Sequence, residues 1–268
     1  MIGIFDSGVG GLSVLRAIRQ QLPEAAVLYV GDTAHIPYGP RPLQEIRAFS
    51  QAITQFLLAR GAEVIVVACN TASAAALKHL RAVFPAVPFV GMEPAVKPAA
   101  EQTQTGVVGV LATPATFQGE LFNSVVERFA QGVRVLPQVC PGLVQQIEAG
   151  ELDTPQTEAL LRGWVEPLLA ENMDALVLGC THYPFVIPLL EKICGPGVRV
   201  IDPAPAVARQ VERVVSGQKA ESRRQKAEVV YYTSGEVAVF ERALEVVGVE
   251  RGPVRGVRWE GGKIQEGA

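Results

Sequence analysis

Short runs of β-branched and aliphatic residues alternate with longer amphipathic stretches along almost the whole chain, and this rhythm restricts the fold more than any other feature. Met1 to Asp6 is followed by a helical pattern from Gly11 to Gln21, Val27 to Gly31 by one from Leu43 to Arg60, and Val64 to Ala68 by one from Ser73 to Val83. Strands separated by helices in this way build βαβ units, which place parallel strands in one sheet and helices on its faces. The sequence therefore predicts an α/β fold. With 268 residues, 49% of them hydrophobic and 19% charged, the chain can bury one large core or two smaller ones.

The pattern breaks once. From Phe89 to Pro98 the sequence turns proline-containing, then polar from Glu101 to Thr105, before Val107 to Leu111 opens a second βα series. That series runs through Phe117 to Ala130, Val133 to Leu136, Thr154 to Glu171 and Ala175 to Leu178, and ends around Val198 to Pro205. A helical pattern from Ala206 to Gly217, a charged stretch from Gln218 to Glu228, a strand from Val229 to Thr233 and a helix from Val237 to Val247 then follow. Arg223 and Arg224 in the charged stretch read as a solvated face. The expected domains are residues 1–95 together with 206–268, and residues 96–205. The two series echo each other: Val64-Ile-Val-Val-Ala-Cys69-Asn-Thr71 is similar to Ala175-Leu-Val-Leu-Gly-Cys180-Thr-His182, and Ile2-Gly-Ile-Phe-Asp-Ser7 to Val108-Gly-Val-Leu-Ala-Thr113. Such an echo is expected of two similar domains with mainly parallel sheets flanked by helices, facing each other across a cleft that holds the active site.

Charge and cysteine content narrow the function classes. A formal net charge of -3 provides no broad attraction for phosphates or anionic lipid, so neither nucleic acid nor a membrane surface is an expected partner. The longest apolar runs are far too short to span a bilayer. Ile2-Gly3-Ile4-Phe5 opens directly as a strand, without the basic and apolar segments of a secretory signal, so a cytoplasmic location is expected. Four cysteines, Cys69, Cys140, Cys180 and Cys194, are too few and too scattered for a disulfide framework. His35, His79 and His182 do not cluster at zinc-ligand spacing, and no metal site is expected.

In open α/β sheets ligands bind beyond the carboxyl ends of the strands, so polar residues directly after an apolar run are the candidates. Asp6 and Ser7, Asp32 with Tyr38 and Gly39, Cys69 with Asn70 and Thr71, Thr113 with Thr116, and Cys180 with Thr181 and His182 all stand there. Gly8-Val-Gly10-Gly11 opens a helix and leaves backbone N–H groups that suit a carboxylate or phosphate, although glycine also serves a tight strand-to-helix turn without any ligand. The loop lacks the spacing of a dinucleotide fingerprint.

Cys69 and Cys180 each stand between a buried strand and a helix start, where the helix dipole is expected to favour the thiolate. A buried cysteine is also a small hydrophobe, and that reading stays open for both. Two thiols facing each other suit one reaction in particular: removing a proton from one face of a stereocentre while another is delivered to the opposite face. The α-proton of an amino acid is only weakly acidic, so such a site needs a tuned base and strong stabilisation of developing negative charge. Asn70, Thr71, Thr113, Thr116 and Thr181 could donate the hydrogen bonds. Asp6 and His182 could return protons to the thiols, or could instead cap helices.

At these residues the sequence resembles the aspartate/glutamate racemase superfamily and, within it, the bacterial glutamate racemases. The motifs are Ile4-Phe-Asp-Ser-Gly-Val-Gly-Gly11, Gly31-Asp-Thr-Ala-His-Ile-Pro-Tyr-Gly39, Ala68-Cys-Asn-Thr-Ala-Ser73, Cys140-Pro-Gly-Leu-Val-Gln-Gln-Ile-Glu148 and Leu178-Gly-Cys-Thr-His-Tyr-Pro184, in that order over nearly the whole chain. The resemblance implies cofactor-independent interconversion of L- and D-glutamate, supplying D-glutamate for peptidoglycan, by a protein that forms a homodimer. It implies that Cys180 takes the proton from L-glutamate and Cys69 from the D-enantiomer, with Asp6 assisting at Cys69 and His182 at Cys180. Asp6, Ser7, Tyr38, Gly39, Asn70, Thr71, Thr113, Thr116, Thr181 and His182 match substrate-binding positions. Asp32 and Glu148 match acidic residues behind them. The threonine loop reads Leu111-Ala-Thr-Pro-Ala-Thr116 where the family often has Gly-Thr, which leaves open which threonine meets the ligand. Cys140 and Cys194 read as structural. Aspartate as the substrate, or an amino acid binding protein with inert thiols, are the alternatives.

Overall fold

A computed structural model describes residues 1–217 and 227–267, so most of the charged stretch from Gln218 to Glu228, including Arg223 and Arg224, lies outside the described residues. Eleven strands are formed among them: β1 Ile2–Asp6, β2 Val27–Gly31, β3 Val64–Val67, β4 Phe89–Gly91, β5 Val107–Ala112, β6 Arg134–Val139, β7 Ala175–Gly179, β8 Arg199–Ile201, β9 Val229–Thr233, β10 Val254–Glu260 and β11 Lys263–Glu266. They divide into a seven-stranded sheet, in the order β11-β10-β9-β2-β1-β3-β4, and a four-stranded sheet, β6-β5-β7-β8. Every pairing is parallel except the β10–β11 hairpin.

The order β2-β1-β3-β4 in the first sheet repeats as β6-β5-β7-β8 in the second. The strand pairs that echo in sequence, β1 with β5 and β3 with β7, therefore occupy equivalent places. Because successive residues of a strand point to opposite faces, β1 sends Ile2 and Ile4 into one core and Phe5 into another. The helix after β1, Leu12–Gln21, covers the first of these faces, while the helix after β3, Asn70–Val83, covers the second with Ala72, Ala76, Leu77 and Leu80. The chain thus leaves β1 and β3 in opposite directions, and a crevice opens at their carboxyl ends. The second sheet does the same: Phe122 and Val125 after β5 pack on one face, Leu189 and Leu190 after β7 on the other. One apolar core runs continuously from Ile4, Leu12 and Leu15 of the first sheet to Leu143, Leu161, Leu178 and Tyr183 of the second, which turns the two crevices toward each other.

Three details differ from the sequence reading. The pattern from Phe117 to Ala130 is two helices, Pro114–Gln118 and Glu120–Phe129, broken at Gly119. A Cβ on Gly119 would lie 2.7 Å from Cβ of Ala74 on the helix after β3, so this glycine permits a close approach. Strand β6 extends through Pro137 to Val139, which is possible because it is an edge strand. The sequence reading stops at Val247, and the structure adds beyond it the β10–β11 hairpin, turning on Gly261 and Gly262 with φ of 57° and 75°.

Candidate active site

The cleft between the sheets is lined by Ser7, Pro37, Tyr38, Gly39, Cys69, Asn70, Thr71, Thr113, Val144, Cys180, Thr181 and His182, and encloses a cavity of about 20 Å3. That is room for about one water molecule. In this closed arrangement both thiols are buried, Cys69 at 5% and Cys180 at 6% exposure.

Cys69 leaves β3 in an extended conformation and caps the next helix, its sulfur accepting from the Ala72 N–H at 3.4 Å. Its S–H donates toward Ser7 Oγ at 3.9 Å. The helix start was expected to favour the thiolate; here the reverse holds. Burial, reinforced by the negative charge of Asp6, pushes the Cys69 thiol well above its ordinary range and outweighs the Ala72 N–H. Cys69 is held as a thiol.

Cys180 has different company. Its sulfur lies 3.8 Å from Nδ1 of His182, whose Nε2 lies 2.6 Å from Oε1 of Glu148. Burial alone would lower the His182 pKa, but the Cys180 sulfur and the Glu148 carboxylate together raise it well above the usual histidine value. A cation is thereby placed at one thiol only. His182 makes no side-chain cap on the 3-10 turn that follows it.

Asp6, fully buried at the end of β1, is not a helix cap either; Gly11 has that position. Asp6 Oδ1 accepts from Gly8 N–H at 2.9 Å, and Oδ2 accepts from Thr181 Oγ1 at 3.2 Å, reaching across the cleft. Burial raises its pKa, against the lowering by His182 and the Gly8 N–H. The glycine loop does receive an anion, but an internal one: Val9 N–H donates to Glu148 Oε1 at 2.8 Å. A Cβ at Gly8 would stand 2.2 Å from that oxygen, and one at Gly10 would stand 2.3 Å from His182 Nδ1. The loop is glycine-rich because the Glu148–His182 pair lies directly on it.

The threonines form a chain. Thr71 Oγ1 is 2.9 Å from Thr113 Oγ1, which is 3.0 Å from Thr116 Oγ1. Thr113 lines the cleft and Thr116 stands behind it, which orders the two that the sequence left open. Asn70 is 3% exposed and its side-chain amide has no hydrogen-bond partner at either atom among the described residues. Tyr38 lines the cleft and donates its hydroxyl to Oδ2 of the fully buried Asp32 at 2.7 Å, so Asp32 acts from behind. Pro37 and Val144 were not singled out from sequence; an apolar wall residue carries no chemical signature. Val9 and Ser13, whose Oγ donates to Thr181 O at 3.0 Å, were also missed because backbone partnerships leave none. Cys140 is buried in the core shared with Val144 and Cys180 but is not among the lining residues, and Cys194 is half-buried; all four cysteines are free.

A model of the Asp/Glu/Hydantoin racemase family matches residues 2–211, and the chain belongs to that family. Its relatives narrow the class further. Glutamate racemase from Roseiflexus sp. is 58% identical over 214 residues, 80% of this chain and 79% of that protein, and the one from Ectopseudomonas mendocina is 51% identical over 246 residues, 92% of this chain and 94% of that protein. Escherichia coli glutamate racemase, solved with L-glutamate, superposes with a TM-score of 0.86 at 30% identity, covering 97% of this chain and 98% of that one.

Proposed function

We propose that this protein interconverts L- and D-glutamate, without a cofactor, by passing protons at Cα between Cys180 and Cys69. The observation that carries the reading is the unequal pair of thiols: equivalent strand ends of two repeated sheets bring two buried cysteines to one cleft, and only Cys180 has a histidine at its sulfur. A two-base exchange requires one thiolate and one thiol at the outset. A protonated His182 places a cation against the Cys180 sulfur, and burial keeps the proton on Cys69.

With L-glutamate bound, the Cys180 thiolate removes the Cα proton, the electron pair spreads into the α-carboxylate, and the Cys69 thiol delivers its proton to the opposite face. D-glutamate leaves, with Cys180 now a thiol and Cys69 a thiolate, from which the reverse reaction starts. Asp6, near Cys69 and raised in pKa by burial, can hold a proton on that side. Ser7, Asn70, Thr71, Thr113, Thr181, Tyr38 and Gly39 are the groups within the lining that can meet the carboxylates and the ammonium. The unpartnered Asn70 amide supports this most directly, since a buried amide without partners is costly until a ligand satisfies it. Thr116 supports Thr113, Glu148 supports His182 and Asp32 supports Tyr38.

The relatives named above support glutamate over aspartate, since one methylene by itself discriminates by only ~1–3 kcal/mol in a pocket. No helix among the described residues is long and apolar enough to cross a membrane. A cytoplasmic homodimer that supplies D-glutamate for peptidoglycan is the setting we infer, built from units of residues 1–95 with 206–268 and 96–205. The test offers L-glutamate and L-aspartate separately in deuterated water, with Cys69→Ser and Cys180→Ser alongside. Racemisation of glutamate with deuterium at Cα, stopped by either substitution, is expected. Turnover of aspartate alone would move the assignment to the sister activity, and no exchange with either would leave a binding protein.

A further inference from the structure

One residue outside the cleft lining, on the terminal hairpin, is bonded to the carboxylate that stands behind Tyr38. Trp259 stands on β10, half-buried, and its indole N–H donates to Asp32 Oδ1 at 2.7 Å across 227 residues of sequence. The same carboxylate accepts from Tyr38 Oη at 2.7 Å, Ser234 Oγ at 2.7 Å and His35 Nδ1 at 2.9 Å. Four donors on one fully buried carboxylate join three segments: the loop carrying Tyr38 and Gly39, the turn after β9, and the terminal hairpin. Hydrogen bonds to an ionised partner are the strong ones, and their geometry fixes whatever the partners belong to.

The packing around the indole is directed at the same loop. The Trp259 ring meets the His35 ring edge-on with centroids 5.0 Å apart and lies 5.2 Å from Phe49, on which His35 stacks at 4.0 Å. Phe49 in turn lies 5.8 Å from the Tyr38 ring. Trp259 thus reaches Tyr38 by two routes, one polar through Asp32 and one aromatic through His35 and Phe49. On its other side β10 is tied to β11, where Ile264 pairs with Trp259 and is buried in the core.

We infer that Trp259 is a positioning residue for the substrate loop, its indole N–H holding Asp32 and, through Asp32, the Tyr38 hydroxyl where the loop lines the cleft. The inference rests on the glutamate-racemising reading above. Trp259→Phe keeps the aromatic packing and removes only the donor. KM for L-glutamate is expected to rise about tenfold, equivalent to about 1.4 kcal/mol, with kcat within about twofold. A purely structural role would lower thermal stability and leave KM alone. If the effect passes through Asp32, the KM changes of Trp259→Phe and Tyr38→Phe are coupled, and the double variant is less impaired than their product. Wild-type KM in Trp259→Phe, or strictly multiplicative effects in the double variant, would overturn the inference. Absence of glutamate turnover in the unaltered protein would instead refute the functional reading. A second measurement leaves Trp259 in place: with Trp164→Phe it is the only tryptophan of the chain's two, and its emission is expected to shift saturably with glutamate. Emission that stays flat through saturation would also overturn the inference.

Discussion

Alanine at Gly10 should disable the site without touching a thiol. The added Cβ would lie 2.3 Å from His182 Nδ1, 2.6 Å from Cε1 and 2.8 Å from Cγ. Gly10 is not among the positive-φ glycines, so the backbone itself accepts alanine with little strain. To regain an ordinary contact of 3.4 Å the imidazole must retreat by about 1 Å. It cannot do so freely, because Glu148 holds Nε2 at 2.6 Å and is itself held by Val9 N–H at 2.8 Å. Retreat therefore strains or breaks a hydrogen bond between charged groups, worth ~1.5–3 kcal/mol, and moves the cation from the Cys180 sulfur. Misplacement of that size at a reacting group costs on the order of 100-fold in rate. The two enantiomers have equal energy, so kcat/KM must fall by the same factor in both directions. Deuterium exchange at Cα of each enantiomer measures it. Exchange within threefold of the unaltered protein would show that His182 does not govern Cys180, and the reasoning would fail.

Glu148→Gln removes the charge that helps raise the His182 pKa, so the imidazolium is lost at lower pH; the alkaline limb of kcat for L-glutamate should move toward acid, and an unmoved limb would refute the assignment. Asp6 is raised above 3.8 by burial, so its contribution to stability is full below that pH and is lost as pH rises through its folded value. Asp6→Asn should accordingly raise the melting temperature at pH 7, lose that advantage near pH 4 and below, and impair turnover; equal melting gains at both pH values would contradict the burial argument. Ile4→Ala, at a fully buried position of β1, should cost ~2–5 kcal/mol in urea unfolding, and a loss below ~1 kcal/mol would mean the core collapses around the gap.

What the sequence determined by itself was everything that repeats along the chain or follows a strand. Apolar period and helix length dictated the βαβ units, because a strand buried on both faces must be a continuous apolar run. Polar residues after such runs marked Asp6, Cys69, Thr113 and Cys180, since a carboxyl end at a switch point is where side chains can face a ligand. The echo between the halves anticipated the repeated strand order. Tertiary structure alone decided the electrostatics and the supports. Sequence placed Cys69 at a helix start, where a thiolate is favoured, yet enclosure of that sulfur beside Asp6 reverses the preference, and burial is a property of the assembled core. Nothing local joins Glu148 to Val9, Trp259 to Asp32, or Thr71 to Thr113, because these bonds span residues that only the meeting of two sheets and the return of the terminal hairpin bring within reach.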